Sequence, residues 1–148
     1  MRPHPRVVGF LGQALNHEFL AVQQYLVQSR LCRLWGWQDW ADSFAKESRE
    51  ELEHAGMLSD QLLRSGVAPS AGSLRPSRPG RDLREMLEQD LAIEWSAVEL
   101  YAEALGFSRR VRDDQAAGLF AQLLEDEQGH LAHLQETIAS MTGAAHGG

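Results

Sequence analysis

Cysteine is nearly absent from this sequence: Cys32 is the only one among 148 residues. A lone cysteine excludes a disulfide within the chain, and it excludes zinc or rubredoxin-type iron sites that are built from several thiolates. Positive charge is scarce as well, because 14 Lys and Arg residues stand against 21 Asp and Glu residues, which gives a formal net charge of −7. We therefore expect no nucleic-acid partner, and the acidic surplus is compatible with the binding of cations.

Long apolar runs are also missing. No segment approaches the roughly 20 apolar residues of a membrane-spanning helix. The N-terminal stretch MRPHPRVVGFLGQ lacks the apolar core of a signal peptide. These absences lead us to expect a cytoplasmic protein with no membrane partner.

Proline and glycine are rare inside four long stretches, in which apolar residues recur at helical spacing. Gly66 is the predicted C-terminal cap of the second stretch, and Asp82 is the predicted N-terminal cap of the third. The predicted segments are helices over about 6–35, 38–65, 81–107 and 113–141, a crossover over 66–80 and a flexible tail over 142–148.

The lengths of the connections indicate how these helices are arranged. Two connections are short and one is long, which predicts two antiparallel helical hairpins joined by a long crossover. This is the connectivity of a ferritin-like four-helix bundle. We interpret residues 1–148 as a single all-α domain of that type.

The chain repeats itself after 76 residues without a gap. Glu18 falls on Glu94, and the repeat also pairs the tyrosines of the first and third helices. Each half carries one Glu on its first helix, which is Glu18 or Glu94. Each half also carries a Glu-x-x-His motif on its second helix, formed by Glu51 and His54 or by Glu127 and His130. The two halves are predicted to pack about a pseudo-twofold axis with these residues face to face. The other matched pairs include Tyr25 with Tyr101, Phe44 with Phe120, Glu51 with Glu127 and His54 with His130.

Six of the repeated residues lie on the apolar stripes of their helices, so they are predicted to point into the bundle. Burial of uncompensated carboxylates costs several kcal/mol each, and divalent cations would compensate them. A Glu from each of two helices with Glu-x-x-His from the other two is the known ligand set of di-iron carboxylate bundles. The predicted ligands are Glu18, Glu51, His54, Glu94, Glu127 and His130.

Six ligands of this kind suit two iron ions per chain. In this interpretation Glu51 and Glu127 bridge the two ions, the other two glutamates are terminal ligands, and each histidine binds one ion. The competing interpretation is that these residues form solvated helix faces or a satisfied polar network. The duplication of the whole set at one spacing favours the metal site.

Several segments resemble the bacterioferritins, and the resemblance extends to about Met141. They are NHEFLAVQQYL (16–26), RLWGW (33–37), EELEHA (50–55), MLEQDLAIE (86–94) and LLEDEQGHL (123–131). The resemblance implies a ferroxidase centre at the six residues, which oxidises Fe(II) with dioxygen or peroxide and passes ferric mineral into a protein cage. Tyr25 matches a tyrosine beside that centre, where it donates an electron or binds a ligand by a hydrogen bond.

Two positions depart from the family pattern. Bacterioferritins bind haem at a twofold subunit interface through a methionine between the Glu and the His, where this chain has Leu52. We therefore expect no haem held in the family's way. The sequence TGAAHGG does not supply the family's short fifth helix, so a homo-oligomeric shell of 24 or 12 subunits or a dimer is expected.

Two other functions remain open from the residues. Tyr101 opposite Tyr25 is similar to the paired tyrosines of rubrerythrins, which favours a di-iron peroxidase or oxygen scavenger that stores no iron. The chain would otherwise be the haem-free assembly subunit of a mixed shell, although such a role does not need the six ligands. We interpret Glu47, Glu50 and His133 as surface residues.

Overall fold

The computed structural model describes residues 2–69 and 75–147, with backbone only over 142–147. This part of the chain contains no strand and forms four helices. No helix in these residues is both long enough and apolar enough to cross a membrane. The helices are α1 (Pro5–Leu34), α2 (Gln38–Arg64), α3 (Leu83–Arg110) and α4 (Asp114–Gly147).

The helix bounds lie close to the predicted ones, with two differences at C-termini. Helix α3 continues three residues past the predicted end, to Arg110. Helix α4 continues to Gly147, so the predicted tail is helical backbone except for the last residue, which is outside the described part. No proline stops this helix, and each glycine near its end weakens it by only about 1 kcal/mol. At the start of α3, the Asp82 side chain accepts a hydrogen bond from the Glu85 N–H, as expected of a cap.

Three helices end in the same hydrogen-bonded turn, in which one residue takes a positive φ. In α1 and α2 that residue is Gly36 or Gly66, with φ of 83° and 76°. In α3 it is Arg112, with φ of 60°. Amide hydrogen bonds back to the last helical turn close each of these motifs, for example from Val67 to the Leu62 carbonyl at 2.9 Å. Arg112 is the repeat partner of Gly36, so the second half of the chain makes the turn without the residue that suits it.

The apolar interior consists of two clusters, one toward each end of the bundle. Helices α1 and α2 pack as one hairpin, and α3 and α4 pack as the other. One cluster centres on Leu11, Leu58 and Phe120, and the other on Phe44 and Leu87. A belt of buried polar residues lies between them, which is the position predicted for the metal ligands.

The crossover is bound to α1 through buried glutamines. Gln24 exchanges hydrogen bonds with the backbone of Arg78, and Gln28 donates to the Pro79 carbonyl at 2.9 Å. Gln24 also lies 3.5 Å from the carboxylate of Asp90, which is fully buried on α3. Burial raises the pKa of Asp90 from 3.8 to about 8, because hydrogen bonds from the two glutamines compensate only in part.

We expect Arg112→Gly to stabilise the metal-free protein by about 1 kcal/mol. Glycine takes the left-handed conformation without the steric cost that a side chain carries there, although it also loses more entropy on folding. Thermal unfolding of the two proteins measures the difference. Arg109→Gly is the control, because it lies inside α3 and should destabilise the chain by a similar amount. A lower melting temperature for Arg112→Gly would contradict the assigned turn.

We expect Asp90→Asn to stabilise the metal-free protein more at high pH than at low pH. The folded chain keeps a proton at Asp90 that the unfolded chain releases, so the free energy of unfolding falls as the pH rises from about 4 to about 8. The Asp90→Asn variant has no carboxyl group at this position, so its free energy of unfolding does not fall with pH in this way. Its melting temperature should equal that of the parent near pH 4 and exceed it by roughly 4 °C or more at pH 8. The exposed Glu99→Gln on the same helix is the control, and an equal gap at both pH values would exclude this role of Asp90.

Candidate metal centre

The four helices bring all six predicted ligands together in the belt between the two apolar clusters. Each helix contributes from its inner stripe, so the ligands meet at matching heights. His130 is the least enclosed of them, with 17% of its side chain exposed. The four glutamates and His54 are buried, with no more than 5% of any of them exposed.

One group of four ligands surrounds His54. Its Nδ1 lies 3.0 Å from Glu127 Oε1, 3.7 Å from Glu18 Oε2 and 4.0 Å from Glu51 Oε2. One donor atom from each residue lies within 4.8 Å of all the others, a spacing that a single cation can bridge. The group therefore forms a first candidate ion pocket.

The second group surrounds His130 in the same way. Its Nδ1 lies 3.0 Å from Glu51 Oε1, 3.4 Å from Glu127 Oε2 and 3.9 Å from Glu94 Oε1. Glu51 and Glu127 thus belong to both groups, and each offers a different oxygen to each histidine. Two adjacent pockets that share two carboxylates are the arrangement of a dinuclear site.

Several donor atoms of this cluster are buried without a hydrogen-bond partner within the described part of the chain. Unpaired buried polar atoms are rare in folded proteins, because each carries a desolvation cost of about 1–3 kcal/mol. Oxygen and imidazole donors are suitable ligands for iron. The residues therefore fit a pair of divalent cations. The unpaired atoms are Glu18 Oε2, Glu51 Oε1, Glu94 Oε2, Glu127 Oε2 and His130 Nδ1.

Protons neutralise the cluster when no metal is bound. Burial raises the pKa of Glu51, and the adjacent Glu18 carboxylate raises it further. Burial likewise raises the pKa of Glu94, with a further contribution from Glu127. Burial alone would also raise the pKa of Glu127, but the adjacent Glu94 side chain and the two adjacent histidines lower it well below its usual range.

The two imidazoles also hold protons in the metal-free site. Burial alone would lower the pKa of His54, but the adjacent carboxylates of Glu127 and Glu18 raise it to about 10. The pKa of His130 rises to about 9 for the same reason, again through Glu127. A cation must displace these protons to bind, so cation binding releases protons and strengthens as the pH rises toward these values.

Each histidine is oriented by a carboxylate from the opposite hairpin. His54 Nε2 lies 3.0 Å from Asp126 Oδ2, and His130 Nε2 lies 3.0 Å from Glu50 Oε2. A proton on Nε2 that is donated to a carboxylate leaves Nδ1 free for a metal ion, and such partners make the ring a stronger ligand. Both Nδ1 atoms face the shared glutamates, so the two rings present the same nitrogen to the site.

Glu50 lies at the surface, as interpreted, but it also contacts His130, which was not predicted, and Asp126 was not predicted at all. Both side chains are partly exposed, at 39% and 44%, so the helix-face rule places them outside the core. Asp126 and Glu50 contact His54 and His130 at the edge of the site. The repeat offers the missing signal, because residue 50 falls on residue 126 and each directly precedes a shared glutamate. Glu47, Glu50 and His130 also form a third, more open group of possible metal ligands.

Both tyrosines contact the centre. Tyr25 on α1 donates a hydrogen bond of 2.6 Å to Glu94 on α3, and Tyr101 on α3 donates one to Glu18 on α1. Each hydroxyl is thus hydrogen-bonded to a glutamate that belongs to only one of the two ligand groups. The predicted contact of Tyr25 with the site is present in the structure, and Tyr101 makes the equivalent contact on the other side.

A small cavity of about 30 Å³ lies beside the centre, between Tyr25 and His130. This volume holds about one or two water molecules. His133 lies in its wall and in neither of the two ion pockets. A molecule as small as dioxygen therefore has room next to one of the site tyrosines.

Comparison with known proteins decides the family. The ferritin-like domain model matches residues 9–144. Bacterioferritin from Rhodobacter capsulatus is 37% identical over 139 residues, covering 94% of this chain and 86% of the relative. The chain belongs to the bacterioferritin family. Bacterioferritin from Mycolicibacterium paratuberculosis is 32% identical over 141 residues, covering 95% of this chain and 89% of that protein.

A solved bacterioferritin has the same fold. The 2.6 Å structure of the Rhodobacter capsulatus protein superposes with a TM-score of 0.91 at 37% identity, covering 94% of this chain and 87% of that one. It is described as having a metal-free dinuclear site and a haem iron. The predicted all-α, ferritin-like four-helix bundle and the predicted bacterioferritin family are thus confirmed.

We expect Asp126→Leu to weaken cation binding about 10- to 100-fold, because His54 loses the acceptor that fixes its tautomer and ring orientation. Asp126→Asn keeps an acceptor of similar size and should lose much less. Titration of the metal-free proteins with Co(II), followed by visible absorption, gives the affinities. The matched control is Glu125→Leu, which removes an exposed negative charge one residue away. Equal affinities for the variants at 125 and 126 would show that Asp126 does not support the site.

Proposed function

We propose that this bacterioferritin is a ferroxidase, which binds two Fe(II) ions per chain, oxidises them with dioxygen or peroxide and stores the ferric iron. The observation that carries the proposal is the pair of overlapping ligand groups with buried donor atoms that lack partners. A purely structural polar network does not need two adjacent groups of ligand atoms that share two buried carboxylates. The spacing of the ligand atoms within each group, at most 4.8 Å, supports the binding of one cation by each.

Each ligand has a role that follows from its position. Glu51 and Glu127 belong to both groups and would be shared by the two ions, while Glu18 and Glu94 belong to one group each and would each hold one ion. His54 and His130 give one nitrogen to one ion each; the complete metal set is Glu18, Glu51, His54, Glu94, Glu127 and His130. Tyr25 acts beside this set, on Glu94.

Charge balance supports a divalent ion, such as Fe(II), as the species that enters. The four carboxylates carry four negative charges when ionised, and two Fe(II) ions bring four positive charges. The loaded site is therefore formally neutral inside an apolar bundle, where unbalanced charge is costly. The protein's own contribution is to fix the spacing of the ligands and to release the protons that the ions displace.

A homo-oligomer is part of the proposal, and exposed apolar side chains support it. Leu34 and Leu63 are 79% and 60% exposed, and Trp95 is 46% exposed. Side chains of this kind commonly lie in contacts between copies. A shell of 24 or 12 subunits, a dimer and the cytoplasmic location remain predictions.

Haem is not part of the proposal. Leu52 lies on α2 between Glu51 and His54 and is 54% exposed. Its hydrocarbon side chain has no lone pair with which to ligate a haem iron. We propose that this chain holds no haem through this position.

A second candidate function is a di-iron peroxidase or oxygen scavenger without iron storage. The contact of both tyrosines with the site favours it, since two redox-active side chains serve complete reduction of an oxidant. The assembly-subunit alternative has no such support, because assembly makes no use of six converging ligands.

Stepwise addition of Fe(II) to the metal-free protein in air tests the proposal. We expect a fast oxidation phase that ends at two irons per chain, followed by slower uptake of iron into soluble protein. Glu127→Gln should abolish the fast phase, because it removes a bridging charge from both ion pockets, while the exposed Glu125→Gln should leave it unchanged. A break at two without further soluble uptake would favour the scavenger. Absence of a fast phase in the parent protein would overturn the ferroxidase assignment.

A further inference from the structure

The chain contains only two tyrosines, and both are hydrogen-bonded to the metal centre. Tyr25 and Tyr101 are 76 residues apart and occupy equivalent positions in the two halves. Both are fully enclosed, with 1% and 0% of their surface exposed. Tyrosine is thus confined to the two places where a hydroxyl meets a terminal metal ligand.

The two environments are equivalent in their packing. The Tyr25 ring lies 6.3 Å from Phe44, and the Tyr101 ring lies 6.1 Å from Phe120, the repeat partner of Phe44. Burial raises the pKa of each tyrosine well above 10, and the adjacent terminal carboxylate, Glu94 or Glu18, raises it further. Both side chains are therefore neutral phenols that donate to a carboxylate, and neither is a phenolate ligand.

A hydroxyl in this position can lose an electron and a proton together. The proton acceptor is already bound to it, because the Tyr101 O–H points at Glu18 Oε1. When the ring gives up an electron, the Tyr101 O–H bond breaks and an O–H bond forms on Glu18. No charged phenol has to exist in the apolar interior, which would be costly.

We propose that Tyr101 is a second redox residue of this centre, which together with Tyr25 and two Fe(II) ions supplies the four electrons that reduce one dioxygen to water. The inference rests on the proposed ferroxidase function. The two Fe(II) ions alone give two electrons, which take dioxygen only to hydrogen peroxide. Each tyrosine adds one electron and one proton.

The reaction balances in atoms and charge. One O₂, two Fe(II), two tyrosines and two protons from solvent give two H₂O, two Fe(III) and two neutral tyrosyl radicals. Two further Fe(II) ions, the protein's own substrate, then return the radicals to tyrosine with uptake of two protons. The sum is one O₂, four Fe(II) and four protons giving two H₂O and four Fe(III). A chain that works in this way releases no peroxide.

A single-turnover experiment distinguishes this proposal from a centre in which only the two Fe(II) ions supply electrons. The parent protein, Tyr25→Phe, Tyr101→Phe and the double variant are each loaded with two Fe(II) per chain, so that no further iron consumes the products, and are mixed with dioxygen. We expect the parent to release little peroxide and the double variant to release about one peroxide per dioxygen. Tyr101→Phe should release several-fold more than the parent.

Rapid-freeze electron paramagnetic resonance provides the second measurement. For this measurement the Tyr25→Phe variant is loaded with three Fe(II) per chain, because three Fe(II) ions and Tyr101 together supply the four electrons that reduce one dioxygen to water. We expect a tyrosyl radical in this variant, assigned by the narrowing of its signal in protein made with ring-deuterated tyrosine. The double variant should give none. Phe120→Leu changes the packing of Tyr101 but keeps its hydroxyl, so its peroxide yield should match that of the parent.

The outcomes distinguish this inference from the function on which it rests. If the parent shows no fast oxidation of two Fe(II) per chain, the ferroxidase assignment fails. If the parent is fast, but Tyr25→Phe gives no radical and Tyr101→Phe gives the parent's peroxide yield, Tyr101 is not a redox residue. A loss of Co(II) affinity in Tyr101→Phe with no change in peroxide or radical also overturns the proposal, because it leaves Tyr101 only a positioning role on Glu18.

Discussion

The structure depends on the electrostatics of four carboxylates in the middle of a helical bundle. Glu18, Glu51, Glu94 and Glu127 are enclosed by two apolar clusters, where charge is costly without a counter-charge. Protons on the carboxylates and imidazoles balance the cluster in the metal-free state, and in the proposed function two divalent cations take their place. This requirement explains why oxygens and a nitrogen remain unpaired, since perfect pairing among the side chains would leave no ligands for the ions.

The contacts around the centre cross from one hairpin to the other. The tyrosines of α1 and α3 each hold a glutamate of the opposite hairpin, and Asp126 and Glu50 each orient the opposite histidine. Docking of the two hairpins and formation of the site are therefore the same event. The glutamines that bind the crossover to α1 add to this docking away from the ions.

The sequence is sufficient to predict the helices and the convergence of the six carboxylate and imidazole side chains, because both leave a periodic signal. Helical spacing marks the four elements, and the 76-residue repeat separates Glu51 and His54 from the charged residues around them. The same spacing fails at the edge of the site. Glu50 and Asp126 reach their histidines from partly exposed positions, which a rule based on helix faces assigns to solvent. The sequence also does not predict the conformation of Arg112. The positive φ of this residue, which is the repeat partner of Gly36, is visible only in the structure of the turn.

The exchange of contacts between hairpins has a consequence for the ancestry of the chain. One hairpin alone carries three of the four ligands of one ion pocket and one of the four ligands of the other, so it gains a complete centre only by pairing with another. Two copies of a single hairpin around a true twofold axis would place every ligand and both tyrosines where this chain places them. The protein thus has the architecture of a fused homodimer. Fusion frees the two halves to drift apart, and the differences between Glu50 and Asp126 and between Gly36 and Arg112 record that divergence.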